Sequence, residues 1–208
     1  MTLLGPDYSF ESRAHEKGHK LVAGVDEVGR GPLAGPVTAA AVILDPKRIP
    51  EGLNDSKKLT AKRRQALHDE LLLCADVSIA HASVEEIDEL NILRASHLAM
   101  ERAVAGLKQV PDHLLIDGNM VPRGLNISSE TIVKGDARSV SISAASIVAK
   151  ICRDYVMSSL AQHYPGYGWE TNAGYPSKSH KEALSKLGVT PHHRRSFKPV
   201  HNILYQEK

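Results

Sequence analysis

The chain has 208 residues, of which 42% are hydrophobic and 24% are charged, proportions close to those of ordinary globular domains. A chain of this length buries roughly 70% of its unfolded surface, so we expect a hydrophobic core and exclude a disordered or fibrous protein. The formal net charge is only +2. Nucleic-acid binding therefore cannot be inferred from the total charge and would depend on where the basic residues lie.

The two cysteines, Cys74 and Cys152, both fall in segments that are predicted to be helical. This number and spacing exclude a disulfide framework and a paired-cysteine metal site, so we expect a reducing, cytoplasmic setting. The N-terminal residues include no apolar stretch of signal-peptide length. The longest apolar run, over residues 37–44, is much shorter than the roughly 20 residues that cross a bilayer, so no membrane segment is expected.

The first predicted elements form a strand pair followed by a helix. Residues 1–19 are polar and are predicted to be a flexible lead-in, with residues 20–208 forming a single domain. Apolar segments over 21–28 and 37–44 predict two buried strands of a hairpin, joined by a turn rich in glycine and proline. Thr60 is predicted to cap a helix that carries basic residues in its first turns.

The later elements alternate between strands and helices along the chain. Their apolar patterns predict strands over 77–82, 114–116 and 127–133 and helices over 84–90, 92–107, 139–163 and 179–187. The first half of the longest helix is rich in small residues, which would allow close approach to a neighbouring backbone. The order of elements predicts an α/β or α+β domain built on a central mixed sheet flanked by helices.

Four carboxylates, those of Asp26, Glu27, Asp117 and Asp136, lie at or near the ends of apolar segments. A buried charge must be paired or bound to a ligand, and a divalent cation such as Mg²⁺ or Mn²⁺ is the usual remedy for clustered carboxylates. No set of histidines and cysteines with zinc spacing competes. Each carboxylate considered alone is more typical of a cap or an ion pair. Together they predict a metal site suited to phosphoryl transfer.

The adjacent positions of Asp26 and Glu27 present a geometric difficulty for this prediction. Successive side chains of a regular strand point to opposite faces of the sheet. Either the strand ends or twists at Glu27, just before Gly29, or one of the two carboxylates has a structural role. The sequence leaves both alternatives open.

Basic residues are concentrated in two short segments of the chain. They are Lys57, Lys58, Lys62, Arg63 and Arg64 in the first segment, and His192, His193, Arg194, Arg195 and Lys198 in the second. Adjacent histidines in a basic segment are typical of surface groups, so His192 and His193 are not predicted to be catalytic.

The chain resembles bacterial ribonuclease HII, the type 2 ribonuclease H, over most of residues 21–197. The matching runs occur in the family's order and read VAGVDEVGRGPLAGPV, NDSKKLTAKRR, LLIDGN, VKGDARSVSISAASIVAKICRDY, NAGYPSKSH and HHRRSF. The resemblance implies a ribonuclease H-like fold with a helical C-terminal extension. It also implies that the catalytic, metal-binding residues are Asp26, Glu27, Asp117 and Asp136, with Mn²⁺ or Mg²⁺ as cofactor.

The same resemblance implies how a nucleic-acid substrate would be bound. Gly29, Arg30 and Gly31 match the family's motif for the ribose 2′-hydroxyl, and glycines there would let the backbone approach a sugar closely. Tyr175 resembles the family tyrosine that packs on the deoxyribose after the ribonucleotide. The remaining expected contacts are with phosphates and involve Lys57, Ser143, Ser146, Lys150, Arg194 and Arg195.

We therefore expect a monomeric endonuclease that hydrolyses the RNA strand of RNA:DNA hybrids and incises 5′ to ribonucleotides embedded in duplex DNA. Its products would carry 5′-phosphate and 3′-hydroxyl ends, and its setting would be ribonucleotide repair. A related alternative, ribonuclease HIII, has an additional N-terminal domain that the roughly 20 residues before the first strand cannot supply. A non-catalytic hybrid-binding module is disfavoured because carboxylates facing phosphates hinder binding unless a metal is present. A dinucleotide-binding turn at GRGPLAG is excluded because Pro36 and a strand follow it.

Overall fold

The structure is a computed structural model, and it describes residues 5–205. A five-stranded sheet has the order β3-β2-β1-β4-β5, with antiparallel pairing from β3 to β1 and parallel pairing from β1 to β5. The strands are β1 Val22–Val28, β2 Val37–Leu44, β3 Ala75–Ala82, β4 His113–Asp117 and β5 Ser128–Ile132. The mixed sheet confirms the predicted fold class.

Helices cover both faces of the sheet, and further helices form the C-terminal part of the chain. They are α1 Ser9–Glu16, α2 Ala61–Cys74, α3 Val84–Leu90, α4 Ile92–Ala105, α5 Val140–His163, α6 Trp169–Asn172, α7 Lys178–Leu187 and α8 Lys198–Tyr205. A 3₁₀ helix, Gly135–Ala137, precedes α5. None of the helices in the described part of the chain is long and apolar enough to cross a membrane.

The central strands are buried on both faces, which explains their continuous apolar sequences. All eight residues of β2 are buried. One face of β2, including Ala39 and Ala41, packs with α4, and the other, including Ala40 and Val42, packs with α5 and α2. A Cβ atom at Gly24 would lie 2.1 Å from the carbonyl carbon of Ser141. Helix α5 therefore crosses β1 in direct backbone contact, as its small residues predict.

The predicted flexible lead-in over residues 1–19 is wrong for residues 9–16, which form helix α1; residues 1–4 lie outside the described residues. Phe10 and Ala14 are buried in a cluster with residues of β1, β4 and α5. Glu11 is also buried and accepts hydrogen bonds from Ser139 Oγ at 2.6 Å and Ser141 N at 3.0 Å. Two apolar side chains among polar ones give no clear helical period, so the sequence pattern did not reveal this helix.

The helical C-terminal part packs on the loop between β1 and β2. Tyr167, Trp169 and Leu184 form a buried cluster with Leu33 and Ala34 of that loop. The helix predicted over 179–187 is confirmed as α7, whereas α6 and α8 were not predicted. This cluster places the C-terminal segments beside the ends of β1 and β4.

Candidate active site

The four predicted acidic residues line one cavity, of about 560 Å³, at the adjoining ends of β1 and β4. Asp26 is only 5% exposed, and its Oδ1 accepts a hydrogen bond from Glu27 N at 2.7 Å. Asp117 ends β4, and its Oδ1 accepts from Gly135 N at 2.7 Å. This bond ties the 3₁₀ helix that carries Asp136 to the end of β4.

Glu27 reaches the same cavity as Asp26 although the two side chains belong to opposite faces of β1. Strand β1 continues to Val28, so it does not end at Glu27. Its pairing with β4, however, stops at Val25, while Glu27 still pairs with β2. Beyond that point β1 has a hydrogen-bonded neighbour on one side only, and both Asp26 and Glu27 line the cavity. The predicted difficulty is therefore resolved by the end of the neighbouring strand.

Mutual repulsion and burial dominate the electrostatics of the carboxylates. The pKa of Asp26 lies well above its usual value, first because the group is buried and then because Glu27, Asp117 and Asp136 are nearby. The pKa of Glu27 is raised by burial, although an Arg30 Nη1 donor 3.3 Å from Oε1 opposes the shift. A cluster with so little compensating positive charge favours the binding of a cation.

The donor set fits a hard divalent cation in its chemistry, since carboxylate oxygens are the ligands that Mg²⁺ and Mn²⁺ prefer. Within residues 5–205, no three acidic, histidine or cysteine side chains converge closely enough in this arrangement to hold a metal ion. The Oδ1 atoms of Asp26 and Asp117 are occupied by backbone donors. Each of these carboxylates still has a second oxygen and further lone pairs with which it could bind a cation.

The cavity is also lined by most of the residues predicted to bind nucleic acid. They are Gly29, Arg30, Gly31, Lys57, Ser146, Lys150 and Tyr175. A Cβ atom at Gly31 would lie 3.5 Å from Tyr175 Cε1, so the tyrosine ring lies directly beside the glycine. Lys150 Nζ donates to Asp154 at 2.7 Å. Ser146 Oγ donates to Ser56 Oγ at 2.9 Å, and Ser56 is a lining residue that was not predicted.

Three predicted phosphate contacts lie elsewhere. Ser143 is fully buried, and its hydroxyl has no hydrogen-bond partner among the described residues. Arg194 is also fully buried and donates to backbone carbonyls of the β1–β2 loop. The prediction of a direct phosphate contact is therefore wrong for both residues. Arg195 is exposed but lies outside the cavity, so its phosphate contact stays a prediction.

The interpretation of His193 as a surface group is wrong, because the side chain is fully buried. Its Nδ1 accepts from Thr190 N at 3.0 Å, so Nε2 carries the proton and faces His180 Nε2 at 3.2 Å. His180 Nδ1 in turn donates to the carbonyl oxygen of Tyr175 at 2.9 Å. The pKa of His193 is lowered to about 4, mainly by burial and then by His180. These neutral rings support the segment that carries Tyr175.

Two further residues near the cavity were not identified from the sequence. Asp55, in the run NDSKKL, lies close enough to Asp136 to raise the pKa of that carboxyl, after burial, which is the larger cause. Arg153, in helix α5, is fully buried and donates to carbonyls beside the cavity. The position of Arg153 on a helix rich in small residues was a signal that its side chain could be buried. Its charge, taken alone, indicated the opposite.

The mixed sheet and the carboxylates at the adjoining ends of β1 and β4 define the class, a ribonuclease H-like protein with an acidic site. The family model described as Ribonuclease HII matches residues 23–200. A Ribonuclease HII of Ruegeria sp. (strain TM1040) is 69% identical over 202 residues, covering 97% of this chain and 88% of the relative. One of Cereibacter sphaeroides is 66% identical over 207 residues, covering 100% and 98%. The chain belongs to the ribonuclease HII family.

A solved structure agrees with the family assignment. The crystal structure of the ribonuclease H2 from Pyrococcus horikoshii OT3 has a TM-score of 0.74 and 30% sequence identity, covering 88% of this chain and 97% of that chain. The protein is thus a ribonuclease H, a hydrolase of a family that depends on divalent metal and acts on RNA:DNA hybrids. This excludes the non-catalytic binding module and favours ribonuclease HII over ribonuclease HIII.

Proposed function

We propose that this enzyme hydrolyses the RNA strand of RNA:DNA hybrids and also incises duplex DNA 5′ to single embedded ribonucleotides, leaving 5′-phosphate and 3′-hydroxyl ends. The observation that carries the proposal is the shared cavity, in which four carboxylates adjoin a glycine-arginine-glycine turn and a tyrosine. The carboxylates serve hydrolysis, and the turn and tyrosine distinguish the sugars on either side of the junction. Repair of misincorporated ribonucleotides is the corresponding biological setting.

In this proposal, Asp26, Glu27, Asp117 and Asp136 hold two divalent cations, Mn²⁺ or Mg²⁺. Bound there, the ions would supply positive charge to the phosphate and leaving oxygens and lower the pKa of a water molecule. The raised pKa of Asp26 supports the assignment, because that carboxylate lacks a neutralising partner within the described residues. In this role the carboxylates bind the two cations and orient them, and the positive charge of the ions offsets the negative charge of the carboxylates.

The other lining residues have proposed roles in holding the duplex. Lys57 is exposed at the rim of the cavity and provides a point charge for a phosphate, and Lys150 provides a second. Tyr175 lies beside Gly31, where its ring would pack on a sugar that lacks a 2′-hydroxyl. Ser146 supplies a hydroxyl in the same cavity.

Both cysteines are free thiols, which supports the proposed cytoplasmic setting.

The proposal is tested with a DNA duplex that contains one ribonucleotide, in Mg²⁺ or Mn²⁺. We expect one nick 5′ to the ribonucleotide with the wild-type enzyme and none in EDTA. Asp26→Asn should lower kcat by more than about 100-fold, because even an outer-shell partner of a metal ligand typically contributes 10- to 100-fold. Asp69→Asn, on the exposed face of α2, is the matched control and should retain activity.

Two results would contradict the proposal. Nicking that continues in EDTA would exclude the metal role, and full activity of Asp26→Asn would exclude the acidic site. Cleavage of long hybrids without any incision at a single ribonucleotide would retain the ribonuclease H activity but refute the finer specificity.

A further inference from the structure

Two fully buried arginines hold the loop between β1 and β2 from beneath the cavity. Arg194 donates from Nε, Nη1 and Nη2 to four backbone carbonyls of this loop, at distances of 2.6 to 3.2 Å: those of Gly29, Arg30, Gly35 and Pro36. All three nitrogens of its guanidinium therefore donate to one loop. Such a planar set of donors fixes the carbonyls in both position and direction.

Arg153 connects the same loop to the segment that carries Tyr175. It donates to the carbonyls of Ala34 at 3.1 Å, Pro36 at 2.9 Å and Ala173 at 2.9 Å. A Cβ atom at Gly29 would lie 2.2 Å from Arg153 Nε, so the glycine is required for this close approach. The two segments that face the substrate are thus tied to one pair of guanidiniums.

The two positive charges have no carboxylate among their hydrogen-bond partners in the described part of the chain. Burial lowers the pKa of Arg153 to about 10. Burial and then the neighbouring Arg153 lower the pKa of Arg194 to about 9. Both groups remain protonated at neutral pH. An unpaired buried charge is costly, and this pair lies under a loop whose opposite side faces the cavity.

Two of the acceptor carbonyls, those of Gly29 and Arg30, belong to peptide groups whose N–H groups have no acceptor within residues 5–205. The carbonyl of Gly29 shares a peptide group with the N–H of Arg30, and the carbonyl of Arg30 shares one with the N–H of Gly31. Neither N–H has an acceptor within residues 5–205, and both residues line the cavity. A carbonyl that accepts from a charged donor makes the N–H of its own peptide group a stronger donor.

We propose that Arg194, with Arg153, is a positioning residue for ribose recognition, which holds and polarises the Arg30 and Gly31 amides so that they donate to the ribose 2′-oxygen. The inference rests on the proposed function and assigns its sugar selectivity to residues that never contact the substrate. It replaces the expected phosphate contact of Arg194 with an indirect role.

The test compares binding of two duplexes of one sequence, all-DNA or with one ribonucleotide, by fluorescence anisotropy. The parent protein carries Asp26→Asn so that cleavage is slow during the binding measurement. Arg194→Lys keeps a positive charge but cannot make four carbonyl bonds. We expect it to lower the preference for the ribonucleotide duplex by about tenfold, the loss of one charge-assisted hydrogen bond, while affinity for the all-DNA duplex changes less than about twofold.

A matched control and a second variant accompany this measurement. Arg102→Lys removes an arginine that donates to the carbonyl of His81 outside the cavity, and it should keep the parent's preference. Arg153→Lys removes three hydrogen bonds and releases the carbonyls of Ala34 and Ala173, while the four bonds of Arg194 remain, and it should lower the preference by about threefold. If Arg194→Lys shows no cooperative thermal transition, Arg153→Lys decides the question.

The outcomes separate this inference from the proposed function. A parent protein that binds both duplexes equally would refute the single-ribonucleotide specificity itself. A parent that prefers the ribonucleotide, with the folded arginine variants retaining that preference, would overturn the positioning role. Equal weakening for both duplexes would also overturn it, because a role in phosphate binding or folding does not distinguish the sugars.

Discussion

The two basic segments of the chain are alike in composition but differ in whether their side chains are buried. In the segment 57–64, Lys57 is exposed at the rim of the acidic cavity. In the segment 192–198, His193 and Arg194 are fully buried and contact the backbone beneath that cavity. The difference teaches that a run of basic residues does not by itself indicate a nucleic-acid-binding surface.

The physical reason lies in the acceptors that each segment meets. A guanidinium can satisfy several carbonyls at once and tolerates burial better than an ammonium, which is more strongly hydrated. Arg194 meets a loop whose glycines and prolines leave carbonyls without partners in a strand or helix. Lys57 follows Asp55, which caps its N–H at 2.9 Å, and its side chain remains in solvent. The first segment therefore leaves Lys57 exposed at the cavity, where we propose that it binds the substrate, whereas Arg194 of the second segment holds the loop.

The largest expected effect follows from removing the buried guanidinium. Arg194→Ala removes four hydrogen bonds and leaves the carbonyls of Gly29, Arg30 and Gly35 without their donor, so we expect the free energy of unfolding to fall by about 4 kcal/mol. Urea titration followed by circular dichroism measures it. Arg195→Ala, at the exposed neighbouring position, should change stability by less than about 0.5 kcal/mol. A similar loss for both variants would contradict the comparison.

A smaller effect concerns pH and the buried His193. Because its pKa is about 4 in the folded protein and 6.5 is its ordinary value, the unfolded chain binds the proton more tightly. Its contribution to stability is therefore present above pH 6.5 and is lost as the pH falls toward 4, by roughly 2 kcal/mol between pH 7 and pH 5. The free energy of unfolding, measured at both pH values, should depend less on pH in His193→Gln than in the wild type. The same slope in His193→Gln and wild type would refute this assignment.

The smallest effect is expected for the exposed lysine of the first segment. Lys57→Ala should leave stability within about 0.5 kcal/mol, weaken duplex binding by about five- to tenfold, and reduce the slope of log affinity against log salt by about one. Lys108→Ala is the control, since Lys108 lies near the start of β1, at the opposite end of the sheet. An unchanged salt slope in Lys57→Ala would remove this residue from the proposed phosphate contacts.

Most of the sheet and the acidic set could be predicted because their signals are local. Strand β2 has the predicted bounds, Val37–Leu44, since a strand buried on both faces needs a continuous apolar run. The carboxylates of Asp26 and Asp117 follow such runs directly, and parallel neighbouring strands bring their ends together. The roles of these residues as metal ligands stay a prediction until the cleavage assay is done.

The sequence by itself determined the strands, the long helices and the place of the carboxylates, because apolar periodicity and burial act over a few neighbouring residues. Only the tertiary structure decided which charged residues are buried. Glu11 accepts from Ser141 N at 3.0 Å, 130 positions away, and Arg194 donates to the Gly29 carbonyl 165 positions away. A buried charge is stable only where such partners converge. Because these partners are far away in the sequence, no local sequence pattern predicts them.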